Sequence, residues 1–202
     1  VPNFIGNEKK YVDDCMDTTW ISSVGKYVNQ FEESFANRMT VKHAIACCNG
    51  TVALHVPLLG LGIKEGDEVI LPSFTYIATA NCVKYCGATP IFADCLQDTW
   101  NIDPKDIERK ITPRTKGIIP VHMYGNPCDM DAIMAIAKKY NLFVLEDAAE
   151  AHGATYNGQC VGSFGDAASF SFFGNKIITT GEGGMVVTND DELDASMRIL
   201  KG

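Results

Sequence analysis

The chain has 202 residues, 46% of them apolar and 21% charged, with a formal net charge of −8. That is an ordinary globular composition, enough for one large domain or two small ones. The negative balance argues against a nucleic-acid backbone or an anionic membrane as partner, although a local basic patch would still serve an anionic small substrate.

In chain order, helical periodicity runs over 10–18 and 25–37, broken at Ser22-Ser23. An apolar, β-rich segment at 43–48 leads through Asn49-Gly50-Thr51 into a helical pattern over 51–62, with Val52, Leu54, Val56, Leu58 and Leu59. A second β segment at 68–71 precedes a helix over 77–87 that ends on a glycine. Strand segments at 89–93 and 117–122 follow, then a helix over 130–140 with Ile133, Ile136 and Ala137 on one stripe. Strands at 142–146, 168–173 and 184–188 lead to a last helix over 190–200, with Leu193, Met197 and Leu200 on one face. This alternation predicts an α/β fold, a mostly parallel sheet of seven strands covered by helices on both faces. No linker, repeat or low-complexity stretch interrupts it. No apolar run approaches the ~20 residues of a membrane span, and the first ten residues lack the apolar core of a signal peptide.

The eight cysteines do not read as a disulfide framework. Cys47 and Cys48 are adjacent and face opposite sides, Cys82 and Cys86 sit at helical i, i+4 spacing, and the rest are scattered. With no CxxC pair and four dispersed histidines, no zinc site or other metal site is expected. Reduced, mostly buried thiols in a cytoplasmic protein are the expectation.

Two segments carry chemistry. The run Ser169-Phe-Ser-Phe-Phe-Gly-Asn-Lys176 is a strand that stops at a glycine and is followed by one lysine. Lys176 reads either as a solvated loop residue or as a desolvated amine with a nucleophilic lone pair. Phe143-Val-Leu-Glu-Asp147 is an apolar strand ending in two carboxylates. Asp147 reads as a helix N-cap or as a buried functional acid. Ligands of open parallel sheets sit outside the carboxyl ends of the strands, so Asp147 and Lys176 are expected to open onto one crevice. An acid and a lysine facing one crevice is what pyridoxal 5'-phosphate requires: the lysine forms the Schiff base, and the acid pairs with the protonated pyridine nitrogen. Glu146, by strand alternation, points the other way, as a sheet-packing or surface carboxylate. Asn49-Gly50-Thr51, between a strand and a helix, presents backbone N–H groups suited to an anion, or makes an ordinary N-cap turn.

The motifs EDAAEAHGA at 146–154, FSFFGNKIITTGEGGMVVT at 170–188, CCNGTVALH at 47–55 and LPSFTYIATA at 71–80 occur together and in order. On them the chain resembles the DegT/StrS sugar-nucleotide aminotransferases, from its first residues to its last. The FFGNK form at 172–176 is similar to members that make GDP-perosamine from a GDP-linked 4-keto-6-deoxy-mannose.

The resemblance implies an aspartate-aminotransferase-like large domain of pyridoxal phosphate fold type I, covering 1–202 with an N-terminal helical segment and ending before a smaller C-terminal domain. It implies a homodimer, with sites completed across the subunit interface, that moves an amino group from L-glutamate to a nucleotide-linked 4-keto-6-deoxy sugar. Lys176 would hold the cofactor and shuttle the proton. Asp147 would pair with the pyridinium, and the ring of Tyr76 would stack on the pyridine; the alternative for Tyr76 is a helix-start aromatic packed on the sheet. Gly50, Thr51 and Ser171 would bind the phosphate. Glu150, placed among the cofactor-binding residues, departs from the pattern: many members carry glutamine there, beside the cofactor's phenolic oxygen, which a carboxylate would repel unless protonated or turned away. Phe74 reads as core, and His122 and His152 either line the cleft or are structural. Relatives that dehydrate the sugar instead carry histidine in place of the lysine, so Lys176 speaks for transamination. A catalytically incomplete piece that needs a C-terminal partner is the remaining alternative.

Overall fold

The computed structural model describes residues 2–202. Helices α1 (Glu8–Thr18) and α2 (Lys26–Met39) come first, followed by β1 (His43–Cys47), α3 (Gly50–Gly60), β2 (Glu68–Pro72), α4 (Ile77–Tyr85) and β3 (Thr89–Ala93). Then come α5 (Pro104–Lys110), β4 (Thr115–Ile118), a 3-10 turn (Met123–Gly125), α6 (Met130–Tyr140) and β5 (Phe143–Asp147). A small hairpin of β6 (Thr155–Tyr156) and β7 (Gln159–Cys160) precedes β8 (Ala167–Ser171), β9 (Gly184–Thr188) and α7 (Asp191–Lys201). The seven main strands form one sheet in the order β1-β9-β8-β5-β4-β2-β3. The pairs β2–β3, β2–β4, β4–β5 and β5–β8 are parallel; β9 runs antiparallel to both neighbours. No helix of the described residues is long and apolar enough to cross a membrane.

All seven expected strands are present, and the sheet is buried on both faces except along its edge strand β3, where Thr89 and Phe92 are exposed. On one face Ile45, Val69, Leu71, Leu145, Ala167 and Val186 pack against α3, α4 and α7. Their alternates pack on the other face: Phe170, Met185 and Val187 with α2, and Ile70, Ile118 and Val144 with α5 and α6. Helix α3 is apolar almost all round because it lies between the sheet and the helices α4 and α7.

The departures from expectation are local. The fourth strand was expected over 117–122, but its ladder spans 115–118. Pro120 has no N–H to give, and beyond Ile118 the segment is tied by single bonds such as Asp147 N to Pro120 O, 2.8 Å. Helix α5, not expected, is too short to show a period. Its signals are the Asp103 cap, which accepts from the Lys105 amide at 2.9 Å, and Pro104 in the first turn. The β6–β7 hairpin was also not expected. It turns on Asn157-Gly158, both at positive φ, the dipeptide favoured in two-residue hairpins. The thiols, expected mostly buried, are free, but only Cys82 and Cys128 are fully buried and Cys48 is exposed.

Candidate active site

Every parallel strand of the sheet points its carboxyl end to one edge, and antiparallel β9 brings its amino end there. A cleft of about 530 Å³ opens along that edge. Its walls come from segments far apart in sequence: Asn49, Gly50 and Thr51 after β1, Phe74 to Thr79 after β2, His122 to Tyr124 after β4, Asp147 to Glu150 after β5, and Ser171 to Lys176 with Glu182 between β8 and β9. Sheets of this kind bind ligands at that edge because loops and helix N-termini converge there while the strands hold them rigid. Gly50, Thr51, Tyr76, Asp147, Glu150, Ser171 and Lys176 all line this one cleft.

Asp147 is buried at the end of β5. Its Oδ2 accepts from Thr79 Oγ1 at 2.8 Å and its Oδ1 from the Ala149 amide at 3.2 Å. Burial pushes its carboxyl above the usual range, against the Thr79 and Ala149 hydrogen bonds and the nearby charge of Lys176. The N-cap reading of Asp147 is not what is seen, since a two-residue turn and no helix follows.

Lys176 sits in the turn after β8, with its amide bonded to Phe173 O at 3.0 Å. Its side chain is 15% exposed and Nζ donates to Glu150 Oε1 at 3.1 Å. The solvated-loop reading of Lys176 is therefore excluded. The other oxygen of Glu150 accepts from the Tyr124 amide at 3.2 Å.

At the opposite wall, Asn49 Oδ1 caps α3 by accepting from the Val52 amide at 2.9 Å, and Asn49 O accepts from Ala53 at 3.1 Å. The amides of Gly50 and Thr51 remain as donors of the first turn. A Cβ on Gly50 would lie 2.7 Å from Ser171 Cβ, so only glycine lets this helix start press against the strand that carries the Ser171 hydroxyl. Tyr76 is 76% exposed on the cleft wall, which rules out packing on the sheet. Phe74, expected in the core, is instead partly exposed, lines the cleft and packs on Trp100 with ring centroids 5.1 Å apart.

Glu146 turns to the opposite face of the sheet and is fully buried, which excludes the surface reading. It accepts from the amides of Gly162, Phe164 and Gly165 at 2.7, 2.8 and 2.9 Å. His122 accepts from the Cys128 amide at Nδ1 (3.1 Å), so Nε2 bears the proton it shares with Glu146 Oε2 at 3.1 Å. His122 thus borders the cleft but is fully buried, and its nitrogens are spent on structure. His152 lies outside the cleft lining, against Phe170 and Phe172, and neither ring nitrogen has a partner among the described residues. Burial, and then the charge of Lys176, lowers its pKa to about 4. The residue that the sequence reading missed is Thr79, together with Thr75 before it. Their i, i+4 spacing in SFTYIATA was the available signal.

The family model of the DegT/DnrJ/EryC1/StrS aminotransferases matches residues 3–202. The chain belongs to the DegT/DnrJ/EryC1/StrS aminotransferase family. Over 201 residues it is 62% identical to the GDP-perosamine synthase of Caulobacter vibrioides, a match covering all of this chain and 54% of that protein. The aminotransferase from Psychrobacter cryohalolentis superimposes with a TM-score of 0.93 at 47% identity, over 98% of this chain and 50% of that one. A Streptococcus pneumoniae protein solved in its PLP form does so with a TM-score of 0.92 at 31% identity, over 98% of this chain and 56% of that one. The chain therefore spans about half the length of the curated relatives it matches. The α/β architecture expected from the DegT/DnrJ/EryC1/StrS resemblance is thus the one these solved relatives share.

Proposed function

We propose that this chain is the cofactor-binding part (1–202) of a pyridoxal-phosphate-dependent aminotransferase. It would transfer an amino group from L-glutamate to a nucleotide-linked 4-keto-6-deoxy sugar, in the manner of GDP-perosamine synthesis, as a cytoplasmic homodimer. The observation that carries the reading is the convergence of Asp147 and Lys176, 29 residues apart by their numbers, on one cleft with a helix N-terminus in its wall.

The residues fit the cofactor. Burial leaves Asp147 short of a cationic partner, which a protonated ring nitrogen supplies. The Gly50–Ser171 contact, with no room for a Cβ, leaves backbone amides and hydroxyls for a phosphate. A cleft of about 530 Å³ accommodates a group of this size. When bound, the cofactor supplies an electron sink for charge developing at the carbon that carries nitrogen.

The chain's own residues do the rest. Gly50, Thr51 and Ser171 would hold the phosphate, Asp147 would keep the ring nitrogen protonated, and Tyr76 would offer its flat face to the ring. Lys176 would anchor the cofactor through Nζ and would take and return a proton at that same atom. Glu150 holds Lys176 rather than the phenolic oxygen, since its carboxylate is already engaged by the Lys176 amine and the Tyr124 amide. Lys176 also favours transamination over dehydration, because dehydrating relatives carry histidine there.

The test uses the full-length protein, pyridoxal phosphate and ¹⁵N-glutamate, with GDP-, UDP- and dTDP-linked 4-keto-6-deoxy sugars offered separately and products read by mass spectrometry. A ¹⁵N-labelled amino sugar from the GDP substrate, lost in Lys176→Ala, is the expected result. A dehydrated sugar without nitrogen overturns it.

A further inference from the structure

Asp147 and Thr79 are 68 positions apart, yet the Thr79 hydroxyl points at the acid from the first turn of α4 at 2.8 Å. Thr79 is completely buried, so water cannot substitute for either partner. A hydroxyl has one proton. Once that proton goes to Asp147, Thr79 can only accept in its contact with Thr75 Oγ1, which lies 2.9 Å away in the bend just before α4. Thr75 is partly exposed and lines the cleft. The three groups make a directed chain from the cleft wall to the buried carboxylate, Thr75 to Thr79 to Asp147. The second carboxylate oxygen is held by the Ala149 amide. Both oxygens are thereby fixed by donors from the protein, which sets the plane of the carboxylate and favours its ionised form where burial opposes it.

We infer that Thr79, backed by Thr75, is a positioning residue that keeps Asp147 ionised and turned toward the cleft for the ring nitrogen of the cofactor. The inference rests on the cofactor reading proposed above. A valine at 79 has the same shape and no proton to give; a serine keeps the proton.

The test is a pyridoxal phosphate titration, read by absorbance and fluorescence, of the full-length protein and its Thr79→Val, Thr79→Ser, Asp147→Asn and Thr79→Val/Asp147→Asn variants, with folding checked by thermal unfolding. Losing a buried hydrogen bond to a charged group weakens binding on the order of 10- to 100-fold, so Thr79→Val is expected to raise Kd by that factor. Thr79→Ser stays within about threefold of the parent, and Thr79→Val changes Kd less than about threefold when Asp147 is already Asn. Equal losses in both backgrounds, or no loss in either, overturn the inference while leaving the cofactor reading intact. An unchanged Kd on Asp147→Asn alone overturns the role of Asp147, and with it the inference.

Discussion

Glu150 bridges Lys176 to the backbone of Tyr124: one carboxylate oxygen accepts from Nζ at 3.1 Å and the other from the Tyr124 amide at 3.2 Å. Tyr124 holds a left-handed conformation, φ 51°, that a non-glycine residue adopts only when its surroundings impose it. One side chain therefore ties the turn after β4 to the lysine after β8. Replacing Glu150 with Ala in the full-length enzyme should lower kcat about 10-fold with little change in KM, while Gln, which keeps the length but can accept at only one end of the bridge, should fall between Ala and the parent. Steady-state kinetics of the two variants decide it; equal losses in both would mean that the charge, not the bridge, is what matters.

Gly50→Ala tests the close approach of α3 to β8. The added methyl would meet Ser171 Cβ at 2.7 Å, so the helix start must move off the strand. Overpacking of this kind costs about 1–3 kcal/mol. The same shift spreads the amides and the Ser171 hydroxyl that would hold the phosphate. Denaturant unfolding and a cofactor titration should both report the change, with Kd for pyridoxal phosphate raised about 10-fold or more.

Glu146 should govern stability and not chemistry. Its carboxylate collects three amides of the 162–165 loop and His122 in a fully buried position. Glutamine cannot accept with both ends, and its NH₂ would face an amide donor. Glu146→Gln is expected to destabilise the fold by about 3 kcal/mol, read by chemical denaturation. Loss of cofactor affinity with unchanged stability would contradict this.

His152 should limit stability in acid. Its pKa falls from 6.5 to about 4 in the folded protein, with burial the main cause. Between those two values the unfolded chain binds a proton that the folded chain refuses, so stability declines as pH drops from about 6.5 toward 4. Phenylalanine would fill the same place between Phe170 and Phe172 without leaving ring nitrogens unpaired. The His152→Phe protein should gain on the parent as pH falls from 7 to 5, roughly, when unfolding is followed across that range. A constant difference across pH would show that the histidine does not titrate in this window.

What the sequence determined by itself was local in origin. Seven apolar runs of strand length announced the sheet, because burial on both faces leaves its mark on successive residues of the inner strands. Strand ends followed by Asp147, Lys176 and Asn49-Gly50-Thr51 announced the functional edge, because ligands of such sheets gather there. Helix α5 and the β6–β7 hairpin escaped notice because each is too short to display a period. Side-chain alternation sent Glu146 and Asp147 to opposite faces, but which of them would meet a cleft and which a loop of backbone amides depended on strand order. The tertiary structure alone decided that Thr79 reaches Asp147, that Glu150 takes Lys176, and that Phe74 faces the cleft and not the core. Those contacts are made by single polar or aromatic side chains from separate elements, and a one-dimensional pattern records only the average environment of a segment, not the atom across the gap.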